Sequence, residues 1–356
     1  MARICLNMIV KNEASVIERC LASVKPWIDH WVIVDTGSTD GTQSLIRDFM
    51  RGVPGELHER PWRNFAHNRN EALELARPCA EHLLFIDADE VLAMSPGFAW
   101  PALDGEAYRF ACEYAELRYH RNALIATRLP WRWVGVLHEY LDCALPHSWG
   151  FLSGPAIVVS HDGARARDPN TYLRDIEVLE RALQAEPGNS RYVFYLAQSL
   201  RDAGQAAPAR ARYLQRASMG GWEEERWCAQ FRAAQLGERV GLPPEQVREA
   251  YLAAYQARPS RAEPLYELAR YHRERSEFAL AHLFAQQAAA MALPGDVLFV
   301  DATVYAWRAL DELVVAAYYV GDIAQGRVAL QKLLAEQKFP AEHSARILGN
   351  KPFLGL

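Results

Sequence analysis

Up to about residue 160 the chain alternates brief apolar, β-branched runs with segments whose apolar residues recur at helical spacing. ICLNMIV (Ile4 to Val10), WVIVD (Trp31 to Asp35) and LLFID (Leu83 to Asp87) suit buried parallel strands, which are apolar on both faces. Between the first two, Val16, Ile17, Cys20, Leu21 and Val24 follow a helical period, with Asn12 available as an N-cap. Leu45, Ile46 and Phe49 mark another helix. This order predicts a Rossmann-like, doubly wound and mostly parallel α/β sheet, whose ligands bind beyond the carboxyl ends of the strands.

From about Pro169 the strand-like runs disappear and Gln, Ala, Arg, Glu and Tyr dominate. YLAQSLRDAG from Tyr195, FRAAQLGERVG from Phe231 and YELARYHRER from Tyr266 each set an aromatic before a small-residue helix. Their spacings, 231 − 195 = 36 and 266 − 231 = 35, predict paired helices in a repeat array, with a looser fourth unit from Trp307 to Gly321. The aromatics are expected in the array's core. The chain therefore reads as an α/β domain over residues 1–168 followed by an all-α repeat domain over 169–356.

Composition adds exclusions. Among 356 residues, half are hydrophobic and the formal charge is −5, with basic residues spread along the chain, so no nucleic-acid partner is expected. The six cysteines contain no CxxC pair and lack the tight spacing of a thiolate site, and Cys5 and Cys20 read as small core residues. MARICLNMIV is not a secretion signal, and no run is long enough to cross a bilayer. A soluble, cytoplasmic protein is the expectation.

The chemistry-bearing residues cluster at the predicted strand ends. In FIDADEVL, Asp87 and Asp89 form a D-x-D motif whose hard oxygens suit Mg²⁺ or Mn²⁺ bridging phosphates. Left extended, the two would face opposite ways, so a turn is required. In VIVDTGSTDGT, Asp35 is placed to accept hydrogen bonds from a base or ribose, with Ser38 and the turn amides brought close by Gly37. Asp40 or Thr39 is expected to cap the following helix. In NFAHNRNEAL, Arg69 offers the paired donors that phosphate recognition uses. Of the adjacent His138 and Glu139, only one can easily enter a site from a strand. Trp131 and Trp133 serve either as core or as a platform for a sugar ring.

KNEA, VDTGSTDGT, RNEAL and FIDADE, in this order, resemble the family 2 glycosyltransferases of GT-A fold, as does WRWVGVLHEYL with its W-x-G-x-x-HE stretch. The likeness covers roughly residues 3 to 165. It is strongest to the branch in which tetratricopeptide repeats follow the catalytic half, related to lipopolysaccharide-core and peptide S-glycosyltransferases. One departure is Thr36, where many relatives carry a second acid.

The resemblance implies that Asp35 and Arg69 contact the nucleotide, with Glu13 near the base or bracing the loop after the first strand. It implies Asp87 near ribose and metal, Asp89 as a direct metal ligand, and His161 as the histidine that completes the metal shell. Imidazole and carboxylate together favour Mn²⁺ over Ca²⁺. Glu139 is the favoured base and His138 the alternative. The expected activity is metal-dependent, inverting transfer of a sugar from a nucleotide-diphosphate donor, a UDP-sugar, to a protein, peptide or glycan acceptor. The repeats suit an extended acceptor or a homodimer contact. The competing expectation is a repeat-based scaffold whose N-terminal domain binds nucleotide but catalyses weakly.

Overall fold

ICLNMIV forms strand β1 (Ile4–Val10), almost wholly buried, as its unbroken apolar character requires. The computed structural model describes residues 2–114, 117–160 and 162–356. The chain divides into two compact units, Met1–Gln184 and Ala185–Leu356. The division falls beyond the 168/169 change of texture, so the first helix of the helical region stays with the α/β unit.

In the first unit, β1 is followed by α1 (Ile17–Val24), β2 (His30–Asp35), α2 (Thr42–Phe49), β3 (Gly55–Glu59), α3 (Phe65–Ala76) and β4 (His82–Phe85). Then come β5 (Glu90–Met94), β6 (Ala107–Tyr114), β7 (Leu117–Ala126), β8 (Trp131–Val134), β9 (Tyr140–Cys143), β10 (Trp149–Val159), α4 (Ala164–Arg167) and α5 (Thr171–Ala185). Eight strands form one sheet in the order β3-β2-β1-β4-β7-β6-β10-β5, and β8 and β9 form a separate antiparallel ribbon.

The β3-β2-β1-β4 half is parallel, as expected. The other half is mixed: β7 runs antiparallel to β4 and β6, β10 is parallel to β6, and β5 antiparallel to β10. On one face, Ile17, Cys20, Leu21 and Val24 of α1 pack with Leu6, Met8, Ile33 and Leu84. On the other, Leu73 and Ala76 of α3 pack with Cys5, Val32, Leu83 and Trp131. Asn7 is buried within β1 and donates from Nδ2 to the Ala72 carbonyl at 2.8 Å, fixing α3 on the sheet.

Two local expectations are corrected. Asn12 does not cap α1, whose cap is Val16. It lies at φ +57° and its Oδ1 accepts from Thr39 N at 2.8 Å, joining the loops after β1 and β2. The third strand stops at Phe85, before Asp87, because a turn follows in which Glu90 N donates to the Asp87 carbonyl at 3.0 Å.

The second unit is all helical: α6 (Ser190–Asp202), α7 (Ala206–Ser218), α8 (Glu223–Arg239), α9 (Pro244–Ala257), α10 (Glu263–Arg273), α11 (Phe278–Ala289), α12 (Ala309–Val320), α13 (Ile323–Glu336) and α14 (Ser344–Leu348). From α6 to α13 each helix packs on the next, so the helices pair antiparallel-fashion as a tetratricopeptide-like array. Together with α5 the helical region has about ten helices. The three aromatic-led segments fall on α6, α8 and α10, and the fourth unit is α12 with a π-helical turn at Val304–Arg308 before it. Phe231 and Tyr266 are buried and Tyr195 is half-buried. Ala269, Ala285, Val314 and Leu330 fill the joints between successive helices.

Candidate active site

The parallel strands end on a set of loops tied to one another. Asp35, the last residue of β2, is 1% exposed. Its Oδ1 accepts from Gly37 N and Ser38 N, both at 2.9 Å, and from Gln43 Nε2 at 3.1 Å. Its Oδ2 is buried with no partner among the described residues, an acceptor left open at the mouth of the sheet. Gly37 sits at φ +104°, a backbone that only glycine adopts freely, and this lets the turn close on Asp35. Ser38 Oγ is turned away to accept Asn12 N at 2.8 Å. The N-cap of α2 is Gly41, at φ +93°, and not Asp40 or Thr39; Asp40 supports the turn before the helix, accepting Thr42 N at 3.1 Å and Thr42 Oγ1 at 2.6 Å.

Glu13 bridges the same loops to the far side of the domain. Its N–H donates to Thr42 Oγ1 at 2.9 Å, and its Oε2 accepts Ala164 N at 3.1 Å. Burial raises its carboxyl to about 7, against the Ala164 hydrogen bond and with Asp89 adding to the rise.

Asn64 caps α3, accepting His67 N at 2.8 Å. This start puts Arg69 on the first turns, above Trp133, with its guanidinium carbon 5.0 Å from a ring centroid. Arg69 Nε donates to Glu139 Oε1 at 2.5 Å, and a terminal nitrogen donates to Asp87 Oδ1 at 2.7 Å. On its other side Asp87 has Arg121, 3.7 Å from Oδ2. Burial alone would raise the Asp87 carboxyl, but the two guanidiniums overcome it and hold it at about 2. Arg121 closes two bonds on Glu90, at 2.8 and 2.5 Å, and Glu90 Oε2 also accepts Asp87 N at 2.9 Å. Glu90 is buried, and burial followed by the Asp87 charge raises its carboxyl.

The Asp87–Glu90 turn parts the two aspartates. Asp87 lies between the arginines, whereas Asp89 lies against the chain that follows β10. A Cβ on Gly163 would stand 2.9 Å from Asp89 Oδ2. Among the described residues no donor reaches the Asp89 carboxylate, although its backbone carbonyl accepts from Arg19 at 3.2 Å. Arg19 is otherwise paired with Asp162 at 2.7 and 2.8 Å. His161, the expected histidine ligand, lies outside the described residues.

Glu139 and His138 part in the same manner. A loop with Gly135 at φ +109° and His138 at φ +51° joins β8 to β9. It directs Glu139 inward, its side chain 9% exposed beside Arg69, and leaves His138 exposed. Asn70 fixes this ribbon on α3 by exchanging bonds with the Trp133 backbone at 2.7 and 2.9 Å. Trp131 is core, its indole N–H donating to the Ala126 carbonyl, while Trp133 carries Arg69.

Among the described residues no three His, Cys, Asp or Glu side chains converge as a metal cage. The donor set fits a hard divalent cation held by few protein oxygens, with phosphate oxygens and water completing its shell. Asp89, the acid without a donor, meets that requirement; the Asp87 oxygens already face Arg69 and Arg121.

Arg121 and Glu90 escaped the sequence reading. Arg121 lies in a stretch without a motif, and Glu90 follows two more conspicuous acids. The available signal was an acid immediately after D-x-D in an apolar run, which has to be paired once buried.

The sequence model of Glycosyl transferase family 2 matches residues 5–95, from β1 through β5. Over 318 residues the chain is 28% identical to a TPR repeat-containing protein of Synechococcus elongatus, covering 82% of this chain and 76% of that one. It is 29% identical over 212 residues to the SPbeta prophage-derived glycosyltransferase SunS of Bacillus subtilis, covering 55% of this chain and 49% of SunS. Over 87 residues it is 38% identical to the lipopolysaccharide core biosynthesis glycosyltransferase LpsC of Rhizobium meliloti, covering 24% of this chain and 31% of LpsC. The chain thus spans about half the length of SunS and about a third of LpsC. With the motifs at the ends of β1, β2 and β4, the chain carries a glycosyltransferase family 2 segment at residues 5–95, followed in sequence by tetratricopeptide-like helical repeats.

Proposed function

We propose that the protein transfers a sugar, with inversion, from a UDP-sugar to a hydroxyl or thiol of a protein, peptide or glycan acceptor. The observation that carries this reading is the division of the D-x-D segment. Asp87 is clamped between Arg69 and Arg121, and Asp89, two residues on, has no donor from the described residues. Two cations and one open carboxylate at the strand ends suit a leaving diphosphate.

Family 2 glycosyltransferases often use a divalent metal. A Mn²⁺ or Mg²⁺ ion held by Asp89, with His161 as the second protein ligand, would supply positive charge against the departing diphosphate. The buried, open Oδ2 of Asp35 accepts from the base or ribose, and Ser38 and Glu13 hold the loop that frames it. Asp87 orients Arg69 and Arg121 towards the phosphates and lies beside the ribose.

Glu139 is the base. Arg69 occupies Oε1 and fixes the carboxylate, and no donor from the described residues reaches Oε2, which takes the proton of the acceptor. His138 is the alternative on the same loop. The second unit holds the extended acceptor or a second copy of the chain.

Calorimetry of UDP with and without Mn²⁺, followed by hydrolysis of a panel of UDP-sugars, tests the reading. Wild type should bind UDP more tightly with the metal and release sugar from at least one donor. Asp89→Ala should lose both effects while melting as wild type does. Full metal-dependent turnover in Asp89→Ala would sink the metal assignment, and undiminished transfer in Glu139→Gln would remove Glu139 as the base.

A further inference from the structure

Helix α3 and the β8–β9 ribbon cover one face of the sheet only over its parallel half and the start of the mixed half. Beyond them, over β5, β10, β6 and β7, the described residues of the same face line a groove of about 550 Å³. Residues alternate across a strand, so Arg109, Ala111 and Glu113 of β6 and His120 of β7 face the groove. Phe110, Cys112 and Arg121 face the other way. The β10 register breaks between Phe151 and Ala156 along its wall, and Gly154 at φ +122° packs so closely on Phe98 that a Cβ would lie 2.4 Å from the ring.

A ladder of rings and a cation leads from the core to the groove, which it reaches at Arg109, His120 and Phe151. Trp131, His147 and Trp149 are in mutual contact, with centroids 4.6 to 5.3 Å apart. Arg109 lies 5.4 Å from the Trp149 centroid and 5.8 Å from that of Phe151. His120 meets Phe151 edge-on at 5.0 Å. The ladder passes from the buried Trp131 to Phe151, which is 64% exposed. What singles out Phe151 is its place in a concave face beside Arg109, Glu113 and His120, where one ring and a few polar side chains line the same groove.

We propose that this groove is a saccharide subsite, in which Phe151 stacks against the apolar face of a neutral sugar and Arg109, Glu113 and His120 bond its hydroxyls. Charge argues for a neutral polyhydroxylated ligand: Arg109 and Glu113 both line the groove, one charge of each sign, so neither a polyanion nor a polycation is favoured. The mixture of a ring platform with a few convergent polar groups is the usual make-up of a small-ligand site. The groove also lies on the face that carries α3 and the β8–β9 ribbon, and so shares its side of the sheet with Arg69 and Glu139. The inference deepens the sugar-transfer reading by assigning a glycan as the acceptor, and it rests on that reading for its place in the reaction.

The test uses the full chain, EDTA and no donor, on an array of neutral oligosaccharides, acidic oligosaccharides and peptides, with calorimetry on the strongest ligand. Wild type should hold a neutral oligosaccharide, Phe151→Ala should weaken it at least about tenfold, and Phe151→Trp should retain it. Hydrolysis of free UDP-sugar and the melting temperature should be the same in all three proteins. Failure to hold any neutral oligosaccharide, capture of peptides alone, or unchanged binding in Phe151→Ala would overturn the subsite. If oligosaccharide binding depends on Phe151 but no UDP-sugar is hydrolysed, the transfer reading falls and the saccharide groove stands. If donors are hydrolysed but no glycan is held, the groove alone falls.

Discussion

Arg69 Nε lies 2.5 Å from Glu139 Oε1, and the two residues are 70 positions apart in the chain. Glu139 is nearly buried and Arg69 is its ion partner, so the pair is a point where removal of one member leaves a charge uncompensated. Arg69→Met should therefore cost about 3 kcal/mol, in the range for breaking a buried pair. The double variant Arg69→Met/Glu139→Gln should recover a large part of that loss. Urea melts of the full chain, resolved into two transitions, check this; an Arg69→Met transition for the first unit equal to wild type would remove the pair from the account.

Glu13 makes the first unit sensitive to pH. Its folded carboxyl stands at about 7 because burial disfavours the charge, while an unfolded glutamate titrates at about 4.3. An acid raised in this way keeps its proton in the folded state. Its stabilising contribution is complete below about pH 4.3 and is lost as pH rises through about 7. Glu13→Gln keeps an oxygen for Ala164 N and removes the titration. The fall in melting temperature between pH 5 and pH 8 should shrink in the variant; an identical fall in both proteins would exclude Glu13 as its source.

Gly163 holds Asp89 by its lack of a side chain. An added Cβ would lie 2.9 Å from Asp89 Oδ2 and 3.1 Å from Cβ and Cγ, so the carboxylate must move by several tenths of an ångström. The Gly163 backbone, at φ −69° and ψ 175°, suits alanine well. Gly163→Ala should therefore melt like wild type and hydrolyse UDP-sugar about 10-fold more slowly, as small misplacements at reacting centres do. Donor hydrolysis measured across a Mn²⁺ titration reads this directly.

In the repeat unit, Arg261 is 1% exposed. It bonds Glu263 at 2.7 to 3.1 Å and Asp296 at 3.2 Å, and lies 4.0 Å from a Trp227 ring centroid. Arg261→Met should strand the buried Glu263 and lower the stability of the second unit by about 3 kcal/mol. Only the repeat transition should shift in a thermal melt, with the first unit unmoved.

The sequence by itself determined the elements whose cause is local. β1 matches ICLNMIV residue for residue, because seven consecutive apolar or buried positions leave no exposed face for any alternative. The aromatic-led segments from Tyr195, Phe231 and Tyr266 fell on α6, α8 and α10, since a stacked array repeats its contacts at a fixed interval. The tight turn after β2 was readable for a local reason too, since few residues besides glycine adopt the φ of +104° found at Gly37. The tertiary structure alone decided which charges meet. Asp87 and Asp89 are two residues apart and go to different neighbours, because the turn closed by Glu90 separates them. Arg121 reaches Glu90 across 31 residues, and Glu139 rather than His138 is turned inward by a left-handed loop. Pairing between distant strands follows from how buried charges find partners in three dimensions, and that information is absent from the spacing of residues along the chain.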